Sequence, residues 1–512
     1  MKKNLLHLAV ASSAAGLAMS AQAAMYINPE KTGQVLLFPY YNSENGNETS
    51  FHIVNTTEDA KAVKVRIMEY VNSQEVLDFN LYLSPEDHFA FTIAQTTVID
   101  DETKKVALGG ALITQDNSCT VPALGDDTVP NPYTGSTEEK ANGKIRRVQP
   151  FLPYQFAGDK YDSDYRTRIG HVEVIEMGVV YDHNTTTAAY ETWLTHGADG
   201  VPANCDGLVD AWSEGGAWAK EGGAQEGITT PTGGLYGISN HLNNTDAAAY
   251  GIEPAAIESF WASAGNHTDP GNLLPSLASG DTKSLVPSGG AYNLLDFDDR
   301  NIDAVSSLFM ADSISNDVMI NPNLGGMTDW VVTFPTRRYY INGEGDATLD
   351  AAIQPFTELW DGTKDPNNAC EDVSVEQWDR EESIVPIIPG KPIFSPPPPD
   401  EEDDPLPKLC FETNTIAVEG ESALNAVVGS ATNTAGATDL TNDNDEGWQR
   451  ITFADDDHHL PVATIFDLNS AGAVLNGLPA MGFAAFKYVN GDAVYGFVSD
   501  HKTDVTGSTA VR

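Results

Sequence analysis

The chain has 512 residues, 41% of them apolar, and sets 28 Lys and Arg against 74 Asp and Glu for a net charge of −46. So acidic a polypeptide repels nucleic acid and anionic membrane faces, and salt adaptation or solubility accounts for the imbalance without a dedicated cation-binding purpose. Its length allows two or three domains, or one large sandwich with long insertions, and supplies ample material for a core.

Residues 1–23 join Lys2 and Lys3 to an apolar run from Leu5 to Met19, with small residues at Ala21 and Ala23. That is the pattern of a secretory signal peptide, so the mature chain is expected to begin at Ala24 or Met25. No lipid-carrying cysteine stands at the cleavage point, no later apolar stretch approaches the length of a span, and the last residue is not aromatic. The expectation is an exported protein with no transmembrane segment in the mature chain, extracellular or at the cell surface, with the periplasm as the alternative. The four cysteines, an even number in an exported chain, predict two disulfides. Of the three possible pairings, order along the chain favours Cys119 with Cys205 and Cys370 with Cys410, and neither pair has the CxxC spacing of a zinc or redox site.

Residues 33–93 hold five short apolar runs parted by Asn, Gly, Ser and Pro. Val63, Val65 and Ile67 alternate with Lys64 and Arg66, and Phe79, Leu81 and Leu83 alternate with Asn80 and Tyr82, which predicts strands with one wet and one dry face. Their even spacing predicts an antiparallel sandwich with Ig-like N-terminal strands over 24–115. Residues 106–114 read as a sixth strand and 126–143 as an exposed loop. Strand character returns in RIGHVEVIEMGVVY from Arg168, where Glu173 and Glu176 fall on opposite faces with Arg166 or Arg168 as the nearest partners in sequence.

The region 116–369 is expected to be β-rich with loop and short-helix insertions. Residues 254–264 and 302–311 carry apolar stripes at helical spacing, the first opened by Pro254, the second by Asn301 as N-cap. The Gly-rich stretches at 222–237 and 276–290 read as loops and lack the basic residue and following helix of a phosphate loop. Residues 328–341 read as strand, with Pro335 marking an edge or a bulge, and Arg337 and Arg338 are expected to neutralise carboxylates. Residues 370–410 form an acidic, Pro-rich excursion closed by a disulfide. In 411–512 a C-terminal β region packs on the body, and Asn490-Gly491 between two alternating runs signals a hairpin.

Together the phrases GQVLLFPYYN, VNTTEDAKAVKVRIMEY, DFNLYLSPED, GHVEVIEMG, TDWVVTFPTRRYY and GLPAMGFAAFKYVNG resemble a group of uncharacterised exported proteobacterial β-rich proteins. The resemblance runs the length of the mature chain and implies one multi-strand unit. It carries no catalytic residues to transfer.

No GxSxG, HExxH, Walker, GxGxxG or CxxCH motif occurs. Asp455, Asp457 and their neighbours His458 and His459, preceded by Asp443 and Asp445, form the best metal-like cluster, and Ca2+ suits its carboxylates, although the spacing fits no EF-hand and a solvated acidic loop is the default. Asp296, Asp298 and Asp299 read as a solvated turn with Arg300 as built-in partner. Trp193, Trp212, Trp218 and Trp261, in the irregular middle of the chain, are candidate sugar-stacking aromatics, with core packing as the bland alternative. The five Asn-x-Thr sequons read as turn chemistry. The fold class expected is mainly β, a large antiparallel sandwich with a few short helices and long loops. The function expected is a non-enzymatic structural or interaction protein of the cell surface or extracellular matrix, meeting a protein or glycan partner. A glycan-binding protein or glycoside-active enzyme and a calcium-dependent adhesive module are the alternatives.

Overall fold

The structure, a computed structural model, describes residues 24–99, 106–125, 140–141, 144–145, 147–152, 156, 158–219, 225–245, 248–261, 266–288, 291–342, 349–364, 368–380, 384–385, 408–418, 422–424, 430–433, 446–453, 457–462, 464–465 and 473–509. The apolar runs of the N-terminal third are strands: β1 (Val35–Asn42), β2 (Asn47–Asn55), β3 (Ala60–Glu69), β4 (Glu75–Leu83), β5 (His88–Ile99) and β6 (Val106–Thr114). Five more belong with them: β7 (Arg147–Pro150), β8 (Ile169–Val180), β9 (Leu235–Asn243), β10 (Ala248–Ile252) and β11 (Ala255–Glu258).

They divide between two sheets. The first runs Tyr26–Ile27, β11, β1, β8, β3, β4 and Cys119–Val121, with Ile228–Thr229 attached to β8, and the second runs β7, β6, β5, β2, β9, β10. Because side chains alternate along a strand, each sheet turns one row inward. Phe38, Val65, Phe79 and Val174 of the first sheet meet Phe51, Phe91 and Leu112 of the second in one apolar core. Burying each of these contributes about 1.5–3 kcal/mol. Pro39, which has no N–H to give a ladder, sits where the β1–β8 register slips between Gly170 and Val172. Gly170 belongs there because a Cβ would lie 1.8 Å from the Met68 carbonyl oxygen.

The C-terminal half adds α1 (Asn301–Ser307), β12 (Ser313–Met319), β13 (Gly326–Thr333), α2 (Arg338–Ile341), β14 (Ser374–Asp379), β15 (Thr413–Val418), β16 (Glu446–Thr452), β17 (Met481–Asn490), β18 (Ala493–Asp500) and β19 (Lys502–Asp504). A third sheet runs Ser430–Asn433, β15, β13, β17, β18, and a fourth runs Ile384–Val385, β14, β16, β12, β19. Trp330, Ile416 and Phe486 of the third pack with Ile314, Val375 and Ile451 of the fourth. The β17–β18 hairpin forms where Asn490-Gly491 signals it, with Asn490 still paired to Ala493 and Gly491-Asp492 as the two-residue turn, Gly491 at φ +62°.

The two halves share an interface. Val35, Leu37, Tyr40, Ile169 and Ile175, from the outward face of the first sheet, belong to the same apolar cluster as the C-terminal half. The Thr333 hydroxyl donates to the Pro39 carbonyl at 2.7 Å, and the Asn42 amide to the Leu424 carbonyl at 3.2 Å. Every residue of β1, β3 and β8 is therefore buried, which corrects the expectation of a wet face on β3.

Other expectations shift locally. Residues 255–258, read as helix, are β11, because Ala255–Ile257 pair with Val35–Leu37 and a central ladder outweighs a short amphipathic stripe. The second helical stripe is real but ends at Ser307, and Met310–Ala311 is strand. The strand expected over 328–341 stops at Thr333, and its second half is the single turn α2. The Gly-rich stretches contribute Ile228–Thr229, the start of β9 and Lys283–Ser288 to sheets. Both disulfides form in the favoured pairing, Cys119–Cys205 with Cα atoms 5.2 Å apart and Cys370–Cys410 at 3.9 Å. Among the described residues no helix is long and apolar enough to cross a membrane. Residues 126–139 and 386–407, which hold most of the expected exposed loop and of the Pro-rich arm, lie outside the described residues.

Candidate functional site

Chemistry-bearing side chains concentrate where the first sheet meets the C-terminal half. Arg66, directly opposite Glu173 in the β3–β8 register, places Nη1 2.6 Å from Glu173 Oε2 and Nε 2.7 Å from Glu75 Oε2. Burial disfavours the Glu173 charge, but Arg66 and His171 outweigh it and hold the carboxyl below its usual range. Lys64, two residues away on the same face, pairs with Asp78 at 2.5 Å and donates to the Pro270 carbonyl at 2.9 Å. On the opposite face Glu176 accepts from Lys61 at 2.9 Å and from the backbone of Thr232 and Gly233. The two carboxylates thus lie on opposite faces as expected, but their partners are cross-strand cations rather than the neighbouring arginines. Arg166 pairs with Glu69 and Asp159, and Arg168 lies 3.6 Å from Glu44.

The layer continues under the second disulfide. Arg337 donates to the Cys410 carbonyl at 3.1 Å and Arg338 to that of Ser73 at 2.8 Å. Beside them Glu412 is fully buried, and burial pushes its pKa up to about 8 against the pull of Arg337 and of the Ser73 hydroxyl. His458 sets Nδ1 3.0 Å from the Phe453 carbonyl and Nε2 3.0 Å from Glu371, so both contacts become hydrogen bonds when each ring nitrogen carries hydrogen. Burial opposes the Glu371 charge, yet His458 and Arg337 keep its pKa low. Groups this enclosed reach no solute. The layer orients and fastens the two halves.

Two features near the C-terminal half are open to solvent. One is a cleft of about 300 Å3 between the halves, floored by Met310, Met481 and Phe483, with Lys31 and Glu253 3.8 Å apart at its rim. His501 lines it as a neutral ring, because burial drives its pKa down to about 4 while Nε2 donates to the Val331 carbonyl at 2.9 Å.

The other is the solvent face of the fourth sheet. Along β14 and β16 the inward row is Val375 and Gln377 with Gln449 and Ile451, so the outward row is Glu376 and Trp378 with Trp448 and Arg450. Trp378 and Trp448 are register partners and stack at 4.0 Å with an interplanar angle of 11°. The Arg450 guanidinium lies 5.4 Å from one ring centroid and 5.2 Å from the other and pairs with Glu376 at 3.8 Å. Each indole keeps one face that the other does not cover, and that of Trp448 lies toward Asp317, its partner on β12. A half-buried indole pair bordered by Asp317, Arg450 and Glu376 suits a ligand with an apolar face and a polar rim, such as a sugar ring.

The aromatics singled out from sequence lie elsewhere. Trp218 is fully buried and Trp212 nearly so, in a cluster with Tyr82, Tyr190 and Leu208 beside the first disulfide, with half-buried Trp193 against it. Trp261 packs on the larger core and donates to the Glu176 carbonyl at 2.7 Å. A ring without an open face stacks no sugar, so Trp212 and Trp218 are core in this fold. Asp443, Asp445 and Asp455 fall outside the described residues, and Asp457 is exposed with its carbonyl accepting from Gln354. Among the described residues no set of three His, Cys, Asp or Glu converges as metal ligands. Arg300, the partner expected for Asp296–Asp299, turns instead to Asp303 at 2.7 Å. The sequon residues Asn55, Asn184 and Asn243 each accept a backbone N–H two residues on, which is turn chemistry. The Trp378–Trp448 pair escaped the sequence because seventy positions separate its members and only the register joins them. Compared with protein-family models, curated proteins and solved structures, the chain matches none.

Proposed function

We propose that the chain is an exported, non-enzymatic interaction protein of the cell surface or extracellular matrix, in which a rigid double sandwich presents the outer face of its fourth sheet to a partner. The observation that carries this reading is the stacked Trp378–Trp448 pair on a solvent-facing sheet, flanked by Arg450 and Glu376. Aromatic residues and arginine dominate recognition surfaces, the rings because they bring large contact area with few rotatable bonds and arginine because its planar guanidinium offers several donors at once. The leader-like residues 1–23 and the two disulfides support export. A glycan partner is the second reading, favoured by the half-exposed Trp448 ring opposite Asp317 in the register.

Fractionating cells and culture supernatant and probing the purified protein on a glycan array tests both. The surface reading expects the protein outside the cell, and retention in the periplasm counts against it. The glycan reading expects array binding that Trp448→Ala abolishes, and binding unchanged by that substitution removes the sheet face from consideration.

A further inference from the structure

The solvent face of the second sheet carries a pair of histidines that neither the fold nor the proposed interaction uses. Phe51 and Ile53 of β2 and Phe89 and Phe91 of β5 point into the core, so His52 and His88 point out. The register sets His88 opposite Val54 and His52 opposite Ala90, which makes the two imidazoles diagonal neighbours. Their rings converge head to head, with His52 Nδ1 3.0 Å from His88 Nε2. His88 is exposed and His52 half-buried, so solutes reach the pair.

We propose that His52 and His88 form a binding site for a divalent transition-metal ion, with Zn2+, Cu2+ or Ni2+ held between His52 Nδ1 and His88 Nε2. Imidazole nitrogens bind such ions at about 2.0–2.1 Å, and two of them at an angle between square and tetrahedral stand about 2.9–3.4 Å apart. The observed 3.0 Å falls within that bite. The other nitrogen of His52 lies 3.5 Å from the Ser50 hydroxyl. A hydrogen on that nitrogen leaves the Nδ1 lone pair free, and because the rings meet nearly end-on, with centroids 5.2 Å apart, a turn of each ring brings both lone pairs onto one ion. Beside the pair a shallow depression of about 410 Å3, lined by Glu48, Ser50, Thr92 and Gln115, gives room for bound water. A chain of net charge −46 concentrates cations at its surface. Two protein nitrogens leave the ion's other positions to water or to a donor from another molecule. Calcium, which prefers oxygen ligands, is not the ion this site selects.

Equilibrium dialysis of the full chain against Cu2+, Zn2+ and Ca2+, with wild type, His52→Ala, His88→Ala and, as a control at a distant exposed imidazole, His183→Ala, tests the site. The expected result is one equivalent of Cu2+ or Zn2+ whose affinity falls by at least about tenfold in either single variant of the pair and is retained in His183→Ala. The electron paramagnetic resonance spectrum of the Cu2+ form should show two nitrogen ligands. Because both side chains face solvent, the variants should melt with the wild type, which separates lost binding from lost folding. No binding of Cu2+ or Zn2+, or binding that both variants keep, overturns the proposal.

Discussion

The two faces of β3 make the sharpest contrast in the molecule. Val63, Val65 and Ile67 enter an apolar core against the second sheet, whereas Lys64 and Arg66, one residue out of phase, enter a layer of ion pairs with Asp78, Glu75 and Glu173 of the neighbouring strands. Both faces are equally dry. An apolar face packs against any complementary apolar surface, but a buried guanidinium accepts only the arrangement that returns its hydrogen bonds. The apolar face therefore supplies stability, and the charged face fixes how β3 sits between β4 and β8.

Single truncations should break the contrast hardest. Arg66→Ala strands Glu75 and Glu173 and should cost about 3–5 kcal/mol in chemical denaturation. Leu81→Ala, in the apolar core, should cost about 2–5 kcal/mol. The pH dependence separates the charged groups by sign. Glu412 has its pKa raised from 4.5 to about 8, so the folded state holds its proton more tightly and stability falls as pH rises between those values, by something on the order of a few kcal/mol. Glu173 has its pKa lowered, so its contribution is present above its ordinary value and is lost as pH falls through the folded one. Denaturation midpoints measured from pH 4 to 9 should lose their alkaline decline in Glu412→Gln and keep it in Glu173→Gln.

Replacing Arg66, Glu75 and Glu173 together by Met, Leu and Leu should leave stability within about 1 kcal/mol of wild type or raise it, because no charge is stranded. A triple variant as unstable as Arg66→Ala would show that the layer supplies net stability rather than specificity. The smallest effect is expected outside, where Trp448→Ala should cost about 0.5–1.5 kcal/mol for a lost aromatic pair while altering partner binding.

The same contrast explains what could be read in advance. Period-two alternation placed β1 to β6, Asn490-Gly491 placed the β17–β18 turn, and cysteine order gave both disulfides. Alternation does not tell water from a second protein layer, so Lys64 and Arg66 read as a wet face. The stripe at 254–264 carried a helical period, but pairing of Ala255–Ile257 with β1 decided it. Glu173, Trp378 and His52 meet their partners only through the register of strands distant in sequence. Local pattern fixes the strand, and long-range pairing fixes the site.

The bond from Asn42 to the Leu424 carbonyl joins residues 382 positions apart, and β1 lies near the beginning of the described chain. At a synthesis rate of about 5–20 residues per second, roughly 20 to 75 s pass between the appearance of Asn42 and that of its acceptor. Within that interval the second sheet is complete by Ile252, so the first sheet can meet its apolar mate well before β15 is made. The nascent chain must therefore wait, half assembled, with Tyr40 and Asn42 lacking the Thr415 hydroxyl and the Leu424 carbonyl that meet them, until the final hundred residues arrive.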